Sequence, residues 1–373
     1  MKIVLIGNYE NDRSVSMSMF ARSLQDGLMS LGHEVKFVAP KTVFGSLEVG
    51  GTIGKWIGYI DKYILFYIVL RRQVGNADVV HVCDHGNAMY CLALSKNNVV
   101  ITCHDMLAIR GALGEQCDCP SSLAGKVLQK WICCGLARAS RVVCVSKSTL
   151  QDSLRLLRFK KNPTVILNGL HRPFHVLDFE DIRSRLSMWP ALFYTPYILH
   201  VGSNLKRKNR EGVLRIFSQI AKCTDLNLVI AGEPLSSDLS KLSRDLNVQN
   251  RIIQIENPST DSIEALYCQA VALLFPSRFE GFGWPPIEAQ ACGCPVVASN
   301  IPPILETMHG SAILCPVDAE DEMAEGILRM YYDFPFRNEL IKKGQDNVGS
   351  RFGTSRMINA YLDVYQEVCR ERN

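Results

Sequence analysis

The chain has 373 residues, of which 47% are hydrophobic and 21% are charged. This length is sufficient for two domains with separate hydrophobic cores, and the composition excludes a disordered or fibrous protein. Residues 1–170 carry 20 Lys and Arg against 12 Asp and Glu, a net charge of +8, whereas residues 171–373 carry 21 against 25, a net charge of −4. The basic half favours an anionic partner, such as a membrane surface or a phosphorylated acceptor, with ordinary solvated charge as the alternative.

The apolar and cysteine patterns exclude further classes of protein. The longest apolar run, residues 64–70, is far shorter than the ~20 residues that span a bilayer. The first seven residues are typical of a strand rather than of a signal peptide. The 14 cysteines include two C-x-C pairs, Cys117 with Cys119 and Cys292 with Cys294, whose spacing matches neither a zinc finger nor a disulfide scaffold. We therefore expect reduced thiols in a cytoplasmic protein.

In the first half, short runs rich in Val and Ile alternate with helical patterns, which is typical of parallel sheets covered on both faces. Six apolar residues at helical spacing predict the first helix, which Gly32 is expected to end. Those six are Met17, Phe20, Ala21, Leu24, Leu28 and Leu31. The predicted strands are Lys2–Gly7, Val35–Ala39, Asp78–Cys83, Val99–Cys103, Val142–Val145 and Thr164–Leu167.

An aromatic helical pattern lies within the first half. Trp56, Tyr59, Tyr63 and Tyr67 fall near one helical face, with cations around them. Such a face suits an interfacial helix resting on anionic lipid, although a pattern of this kind more often belongs to a core-facing helix. The cations are Lys55, Lys62, Arg71 and Arg72.

Two pairs that combine a histidine with an aspartate follow predicted strands. Asp84 and His85 follow the third strand, and His104 and Asp105 follow the fourth. Because the carboxyl ends of parallel strands meet at one edge of a sheet, both pairs are expected at a ligand-binding edge. His104 is a candidate for acid–base chemistry with Asp105 orienting its imidazole, and a structural, hydrogen-bonded histidine is the alternative.

The alternating pattern stops at residues 171–195, which contain Pro173 and Pro190 and are followed by Pro196, and then restarts. The final helical pattern, near residues 354–370, has no strand after it and is expected to pack back on the first half. The strands predicted in the second half are Tyr197–Val201, Leu226–Ala231, Ile252–Ile255, Val271–Phe275, Val296–Ala298 and Ala312–Leu314.

Two successive units of this kind predict an α/β protein with two Rossmann-like, doubly wound parallel-sheet domains facing a central cleft. The expected boundaries are 1–172 for the N-terminal domain, 173–195 for a linker region and 196–354 for the C-terminal domain. Residues 355–373 are expected to form the helix that packs on the first domain.

Three consecutive cations, Lys206, Arg207 and Lys208, follow the first strand of the second half. A cluster of this kind at a strand-to-helix turn suits a leaving diphosphate, whose negative charge must be stabilised as a bond breaks. A solvated basic turn is the alternative.

The most informative segment follows the strand that ends at Phe275. Gly281 and Gly283 allow the main chain to approach a ligand closely, and two prolines then suit the first turn of a helix. The free N–H groups of that turn and the positive helix end form an anion site. Glu280 in the loop and Glu288 in the helix are separated by seven residues, so the two carboxylates can address different ends of one ligand.

Residues 275–300 resemble the E-x7-E segment of the retaining glycosyltransferases of family 4, which have the GT-B fold. The resemblance implies that Glu280 contacts the hydroxyls of the donor sugar and that Glu288 holds the ribose of the nucleotide. The backbone of Gly281, Phe282 and Gly283 would line the sugar and phosphate site. It also implies that the N-terminal domain faces the acceptor and that the C-terminal domain binds the nucleotide-sugar.

The resemblance extends to two other segments. Lys208 stands in the position of the family's phosphate-binding lysine, and Ser203 stands where many members have arginine, so Arg207 is expected to supply that charge. His104 and Asp105 resemble the family's His-Asp pair, in which the histidine contacts the donor sugar and diphosphate. Asp84 and His85 are candidates for the acceptor side.

The resulting hypothesis is a retaining hexosyltransferase that moves a sugar from a nucleotide-sugar, such as a UDP- or GDP-sugar, to a hydroxyl of a glycan, a glycolipid or another acceptor. It belongs to cell-surface polysaccharide or glycoconjugate synthesis, in the cytoplasm or at the inner face of the membrane. No Asp-x-Asp occurs in the sequence, so no obligatory metal and no other cofactor is expected.

Two other functions are considered. A nicotinamide-dependent oxidoreductase would need G-x-G-x-x-G after the first strand, where the sequence has Gly7-Asn8-Tyr9 instead. A non-catalytic protein that binds a nucleotide-sugar or a polyanion on the same fold remains the alternative. No nucleic-acid-binding motif accompanies the basic half.

Overall fold

The computed structural model describes residues 1–12, 15–44 and 58–371. The chain divides into two compact units, the first formed by Met1–Arg172 with Thr354–Asn373 and the second by Pro173–Gly353. Each unit contains a parallel sheet of six strands with helices packed against it. This architecture confirms the predicted α/β fold of two Rossmann-like, doubly wound domains.

The sheet of the first unit has the strand order β2-β1-β3-β4-β5-β6. The strand order reverses at β1, because the chain places β2 on one side of it and β3 on the other. In open α/β sheets, the carboxyl edge at such a reversal is where ligands bind. The six strands are β1 Lys2–Ile6, β2 Glu34–Val38, β3 Val79–Val82, β4 Val99–Cys103, β5 Arg141–Cys144 and β6 Thr164–Val165.

The sheet of the second unit has the order β12-β11-β10-β7-β8-β9. Its reversal lies between β7 and β10, which pair directly through Ile198 with Ala272 and Leu199 with Leu273. The loops after these two strands therefore lie side by side. The six strands are β7 Tyr197–Gly202, β8 Asn227–Gly232, β9 Ile252–Glu256, β10 Ala272–Phe275, β11 Val296–Ser299 and β12 Ile313–Cys315.

Helices connect the strands of both sheets. Those of the first unit are α1 Val15–Ser30, α2 Phe66–Val74, α3 Tyr90–Ala93, α4 Leu107–Ala112, α5 Leu123–Leu136 and α6 Lys147–Leu156, and a π-helical segment, Asp61–Leu65, precedes α2. Those of the second unit are α7 Phe179–Arg185, α8 Arg210–Ile220, α9 Ser237–Asp245, α10 Thr260–Gln269, α11 Trp284–Ala291, α12 Pro302–Met308, α13 Glu320–Tyr332 and α14 Phe334–Arg351. The last helix of the chain is α15, Thr354–Arg370.

Central strands of both sheets are buried along their whole length. All five residues of β4 and all four of β10 are buried, as expected where helices cover both faces of a parallel sheet. The helices contribute one apolar face each. In α8, for example, Val213, Phe217 and Ile220 pack into the core of the second unit.

Helix α15 belongs to the first unit and closes a buried polar network there. The Tyr365 hydroxyl lies 2.5 Å from His81 Nδ1, and His81 Nε2 lies 2.8 Å from the Thr102 hydroxyl. The Thr102 hydroxyl is also 2.8 Å from that of Tyr361. These bonds satisfy polar groups that would otherwise be costly to bury between α15, β3 and β4.

Within the described residues, every predicted strand is present, with ends that differ by at most two residues. One expectation for the first helix is wrong. Leu31 follows the end of α1 at Ser30 and is 51% exposed, so it does not belong to the buried face. Gly32 adopts a φ of +79°, which ends the helix because only glycine takes this conformation without strain.

In the described parts of the chain, the cysteine side chains form no disulfide bonds. All fourteen cysteines are free thiols. Among the described helices, none is both long and apolar enough to cross a bilayer.

Candidate active site

The centre of the second unit's carboxyl edge is a glutamate between two cations. Glu280, in the loop after β10, is 7% exposed. Its Oε1 lies 2.6 Å from Lys208 Nζ, and its Oε2 accepts a hydrogen bond of 3.1 Å from an Arg207 guanidinium nitrogen. The structure therefore brings together Glu280 and the two cations predicted to hold the phosphates, at the reversal between β7 and β10.

A short turn positions the two cations. Lys206–Lys208 form one 3-10 turn, and Asn209 ends it with a φ of +54°, a conformation that asparagine tolerates. The Asn209 amide donates to the Pro276 carbonyl at 3.0 Å, and the Arg278 N–H donates to the Arg207 carbonyl at 2.7 Å. One backbone bond and one bond from the Asn209 side chain thus join the turn after β7 to the loop that carries Glu280.

The charges of this group shape its ionisation. Burial tends to raise the pKa of the Glu280 carboxyl, but Lys208 and Arg207 outweigh burial and hold that pKa below its ordinary value. Burial lowers the pKa of Lys208, against the opposing effect of Glu280. Glu280 is therefore ionised at neutral pH, and this three-residue group has one anion against two cations.

The glycine loop leads into the N-terminus of α11. Gly283 has a φ of +96°, and a Cβ there would lie 2.5 Å from Ile304 Cδ1, so the backbone requires glycine. Pro285 lies in the first turn of the helix, as predicted. The Phe282 ring is buried and packs edge-on against Phe352, with ring centroids 5.9 Å apart.

Glu288 lies in the second turn of α11 and is 7% exposed. It accepts a hydrogen bond of 3.1 Å from the Tyr267 hydroxyl at its Oε2. Its charge also acts on Lys208, whose pKa is lowered by burial, raised by Glu280 and raised, more weakly, by Glu288. Both glutamates of the E-x7-E segment therefore favour the charged form of the same ammonium group.

Sequence reasoning missed Arg210, which organises the loop after β7. Arg210 is 3% exposed and donates to the Gly202 carbonyl at 2.6 Å, the Asn204 side chain at 2.6 Å and the Glu233 carbonyl at 2.7 Å. Burial lowers its pKa to about 10. These bonds fix the loop in which Ser203 lies half-buried. The available signal was a fourth cation in the basic run, at a helix N-terminus where cations are disfavoured.

In the first unit, His104 follows β4 and is 6% exposed. Its ring Nε2 bonds the Cys83 carbonyl at 2.8 Å, and its backbone N–H donates to His85 Nδ1 at 3.3 Å. Burial lowers the pKa of His104, and the opposing effect of Asp84 is smaller. The ring is therefore neutral at neutral pH, with its proton on Nε2, because a carbonyl can only accept.

The predicted role of Asp105 as the group that orients His104 is wrong. The Asp105 carboxylate instead accepts a hydrogen bond of 2.9 Å from the N–H of Leu107, the first residue of α4. This bond satisfies one of the donors left open at a helix start. The ring of His104 is held by Cys83 and by the edge-on ring of Phe20, whose centroid lies 5.0 Å away.

Asp84 and His85 have different surroundings. Asp84 accepts hydrogen bonds from the Asn8 amide at 2.7 Å and from the Gly86 N–H at 2.8 Å. Burial tends to raise the pKa of Asp84, but His85, His104 and these bonds lower it overall. Asp84 lines a cavity of about 490 Å³ at the carboxyl edge of β1 and β3. Other residues that line this cavity are Asn8, Asp12, Tyr59, Lys62 and Tyr63.

The predicted aromatic face, which extends from Tyr59 through the π-helical segment into α2, is not an exposed one. Tyr63 and Tyr67 pack against the core of the first unit, and Lys62 is buried in an ion pair with Asp12 at 2.6 Å. Tyr63 and Tyr67 therefore take the core-facing orientation and do not form the lipid-facing surface. The residues exposed on this segment are aliphatic, and Ile64 is 53% exposed. Trp56 and Lys55 lie outside the described residues.

In the part of the chain that the structure describes, no group of three or more His, Cys, Asp or Glu side chains is arranged to hold a metal ion. The expectation of a reaction without an obligatory metal stays a prediction.

Comparison with known proteins gives two family matches that together extend over most of the chain. Residues 194–347 match the family described as glycosyl transferases group 1, and residues 17–172 match glycosyltransferase family 4. Among curated proteins, the chain is 21% identical over 361 residues to N-acetyl-alpha-D-glucosaminyl L-malate synthase of Bacillus anthracis, a match that covers 92% of each chain.

Solved structures share the fold at low sequence identity. Sucrose-phosphate synthase from Thermosynechococcus elongatus superposes with a TM-score of 0.79 at 20% identity, over 99% of each chain. HepE from Anabaena, solved in complex with UDP-glucose, superposes with a TM-score of 0.76 at 15% identity, over 98% of this chain and 100% of its own. From these matches and the two Rossmann-like units, the chain belongs to the group 1 and family 4 glycosyltransferases and has the GT-B fold.

Proposed function

We propose that this glycosyltransferase, which belongs to polysaccharide or glycoconjugate synthesis, moves a hexosyl group from a nucleotide-sugar to an acceptor hydroxyl with retention of anomeric configuration. The observation that most supports this proposal is that Glu280 lies buried between Lys208 and Arg207 at the strand reversal of the second unit. One carboxylate against two cations gives this group a net charge of +1, which suits a diphosphate. The HepE structure with UDP-glucose supports a nucleotide-sugar as the donor class.

The proposed reaction breaks the bond between the anomeric carbon and the phosphate oxygen, and the electron pair stays on the diphosphate. Lys208 and Arg207 stabilise the charge that develops there, together with backbone N–H groups of the loop from Gly281 to Gly283. The acceptor oxygen bonds to the anomeric carbon on the face that the phosphate leaves. The acceptor proton passes to the departing phosphate oxygen, so no covalent protein intermediate is required.

Each remaining residue has a proposed role. Glu280 holds hydroxyls of the donor sugar, and Glu288 holds the ribose of the nucleotide. His104 contacts the donor sugar as a neutral imidazole, and Asp105 supports it only by fixing the start of α4. Ser203 contributes to the phosphate loop that Arg210 fixes.

The acceptor is proposed to bind at the 490 Å³ cavity of the first unit. Its lining combines the rings of Tyr59 and Tyr63, which suit the apolar face of a sugar, with the Asp84 carboxylate and the Asn8 amide. Groups of this kind hold polyhydroxylated ligands through stacking and hydrogen bonds. His85 lies next to Asp84, and its Nδ1 accepts a hydrogen bond from the backbone N–H of His104. We propose that it supports these two residues without contacting the acceptor.

A contact with the anionic inner face of the membrane is also proposed. Ile64 and Ile68 are 53% and 71% exposed, and Leu123 and Val127 of α5 are 83% and 71% exposed. Such side chains enter a lipid surface, while nearby cations attract anionic headgroups. The exposed cations on the same two helices are Arg71, Arg72, Lys126 and Lys130.

Liposome co-sedimentation tests this membrane contact. Binding is expected to vesicles that contain anionic lipid and to weaken in the Ile64→Ser/Ile68→Ser double variant. Equal recovery in the soluble fraction with and without anionic vesicles would contradict the contact and leave the transferase proposal intact.

The transferase proposal is tested by incubating the protein with UDP-, GDP-, ADP- and dTDP-sugars and following release of the nucleoside diphosphate. Proton NMR of the first-formed sugar reports the anomeric configuration. We expect one donor to be consumed, with retention, and at least about 100-fold slower turnover in Glu280→Gln. An inverted product would overturn retention alone, whereas no donor binding or consumption would overturn the proposed function.

A further inference from the structure

A fully buried tyrosine bonds the glutamate that is proposed to hold the ribose. Tyr267, on α10, has no exposed surface, and its hydroxyl donates to Glu288 Oε2 at 3.1 Å. Glu288 is itself 7% exposed. The bond therefore lies in a protected environment, where a hydrogen bond to a charged group is stronger than in water.

Tyr267 acts as a permanent donor in this bond. Burial and the neighbouring Glu288 charge raise the pKa of its phenol well above the ordinary value, so the hydroxyl keeps its proton at every working pH. Its ring is fixed by the core, so the hydroxyl has a defined position. A carboxylate held at one oxygen by such a donor loses freedom about its terminal torsions, which are otherwise broad.

A fixed carboxylate is what a site needs in order to distinguish a diol from a single hydroxyl. A site built to hydrogen-bond a hydroxyl rejects an analogue that lacks it, because the buried polar group is then left without that partner. A carboxylate free to rotate would adjust to either ligand and lose much of this discrimination.

We infer that Tyr267 is a specificity-determining positioning residue, which orients Glu288 so that the donor site selects ribonucleotides over 2′-deoxyribonucleotides. This inference rests on the proposed function and narrows its donor class to sugars carried by ribonucleoside diphosphates. It excludes dTDP-sugars as efficient donors.

The experiment compares the binding of UDP with dUDP, GDP with dGDP, and ADP with dADP to the full chain by isothermal titration calorimetry. For the base that binds best, the wild-type protein is expected to hold the ribonucleotide about 10- to 100-fold more tightly than its deoxy analogue. In Tyr267→Phe this ratio is expected to fall to about threefold or less, through weaker binding of the ribonucleotide alone.

Tyr197→Phe is the matched control. Tyr197 is also fully buried, and its hydroxyl donates to the carbonyl of Leu266 at 2.9 Å, one residue before Tyr267 on the same helix. This variant removes a buried tyrosine hydroxyl from the same region without touching Glu288. Its ratio of ribonucleotide to deoxyribonucleotide affinity is expected to equal that of the wild type.

The outcomes are distinguishable. Equal affinity of the wild-type protein for a ribonucleotide and its deoxy analogue overturns the inference, whereas the proposal that the protein binds a nucleotide donor is unaffected. This measurement does not depend on the folding of any variant. An unchanged ratio in Tyr267→Phe, or an equal fall in Tyr197→Phe, also overturns it. If none of the nucleotides binds the wild-type protein, the proposed function fails, and the inference fails with it.

Discussion

Replacing Lys208 by Met and Glu280 by Gln is expected to change the affinity for a nucleoside diphosphate in opposite directions. Glu280 accepts hydrogen bonds from both cations that are proposed to bind the diphosphate, Lys208 at 2.6 Å and Arg207 at 3.1 Å. An incoming diphosphate must therefore share its cations with a carboxylate. Removing a cation weakens the attraction, whereas removing the carboxylate charge raises the net charge of the group from +1 to +2.

The magnitudes follow from the burial of the pair. Lys208 and Glu280 have side chains that are 12% and 8% exposed, so solvent screens their charges only weakly. A hydrogen bond to a charged group contributes about 1.5–3 kcal/mol, so Lys208→Met should weaken nucleoside diphosphate binding by about 10- to 100-fold. Glu280→Gln keeps the side-chain shape and should strengthen binding by up to about tenfold, because one repulsive charge is removed.

The assay is isothermal titration with the nucleoside diphosphate that binds the wild-type protein best, repeated on the Lys208→Met/Glu280→Gln double variant. The affinity of the double variant for the nucleoside diphosphate is expected to lie between the affinities of the two single variants. Arg215→Met is the control, because Arg215 is a cation of the same unit whose ion pair at 2.7 Å is with Glu320. Equal weakening by Glu280→Gln and Lys208→Met would refute the idea that carboxylate and diphosphate compete for the same cations.

Three further predictions concern stability and cofactor use. Gly283→Ala should destabilise the protein by about 1–3 kcal/mol, because alanine at a φ of +96° is strained and its Cβ would meet Ile304. An unchanged midpoint of urea denaturation would contradict this prediction. Burial lowers the pKa of both His81 and His200 to about 3, below the ordinary value of 6.5, so the unfolded chain binds more protons between these values. Stability should therefore fall as the pH drops below 6.5, by at most about 1.4 kcal/mol per pH unit for each histidine, and melting temperatures that stay constant from pH 6.5 to pH 4.5 would count against it. Activity should persist in EDTA, and loss of activity that manganese restores would show that a metal is required.

The fold was accessible from the sequence because its signals are local and repeated. Each central strand is a short run of buried, mainly apolar residues, as in β4 and β10. The end of the first helix was predictable from Gly32, because a residue without a Cβ can adopt the positive φ found there without strain. Leu31 was misplaced because helical periodicity does not show at which residue a helix ends.

The candidate site was only partly accessible. Glu280 meets Lys208 because the loops that carry them follow β10 and β7, which are neighbouring strands. The sequence does not show that these two strands are neighbours. Tyr267 and Arg210 could not be identified, because their roles depend on contacts made by buried side chains across different elements. Asp105 was misassigned for a related reason. Adjacency to His104 in sequence suggested a pair, whereas the start of α4 turns its carboxylate to the Leu107 N–H.

The strand reversal in the second sheet links the fold to the chemistry. Because β7 and β10 are neighbours, the turn after β7 supplies the cations and the loop after β10 supplies a carboxylate and a helix N-terminus. The Arg278 N–H donates to the Arg207 carbonyl, and the Asn209 side-chain amide donates to the Pro276 carbonyl. The spacing of the charges is therefore set partly by the main chain and not only by flexible side chains. Stabilisation of a developing diphosphate charge depends on groups that are already in place when the bond breaks. The buried contacts of Arg210 and Tyr267 extend the same principle to the phosphate loop and to the ribose carboxylate, which is why substitutions at these two positions should alter donor recognition without removing any group that touches the donor.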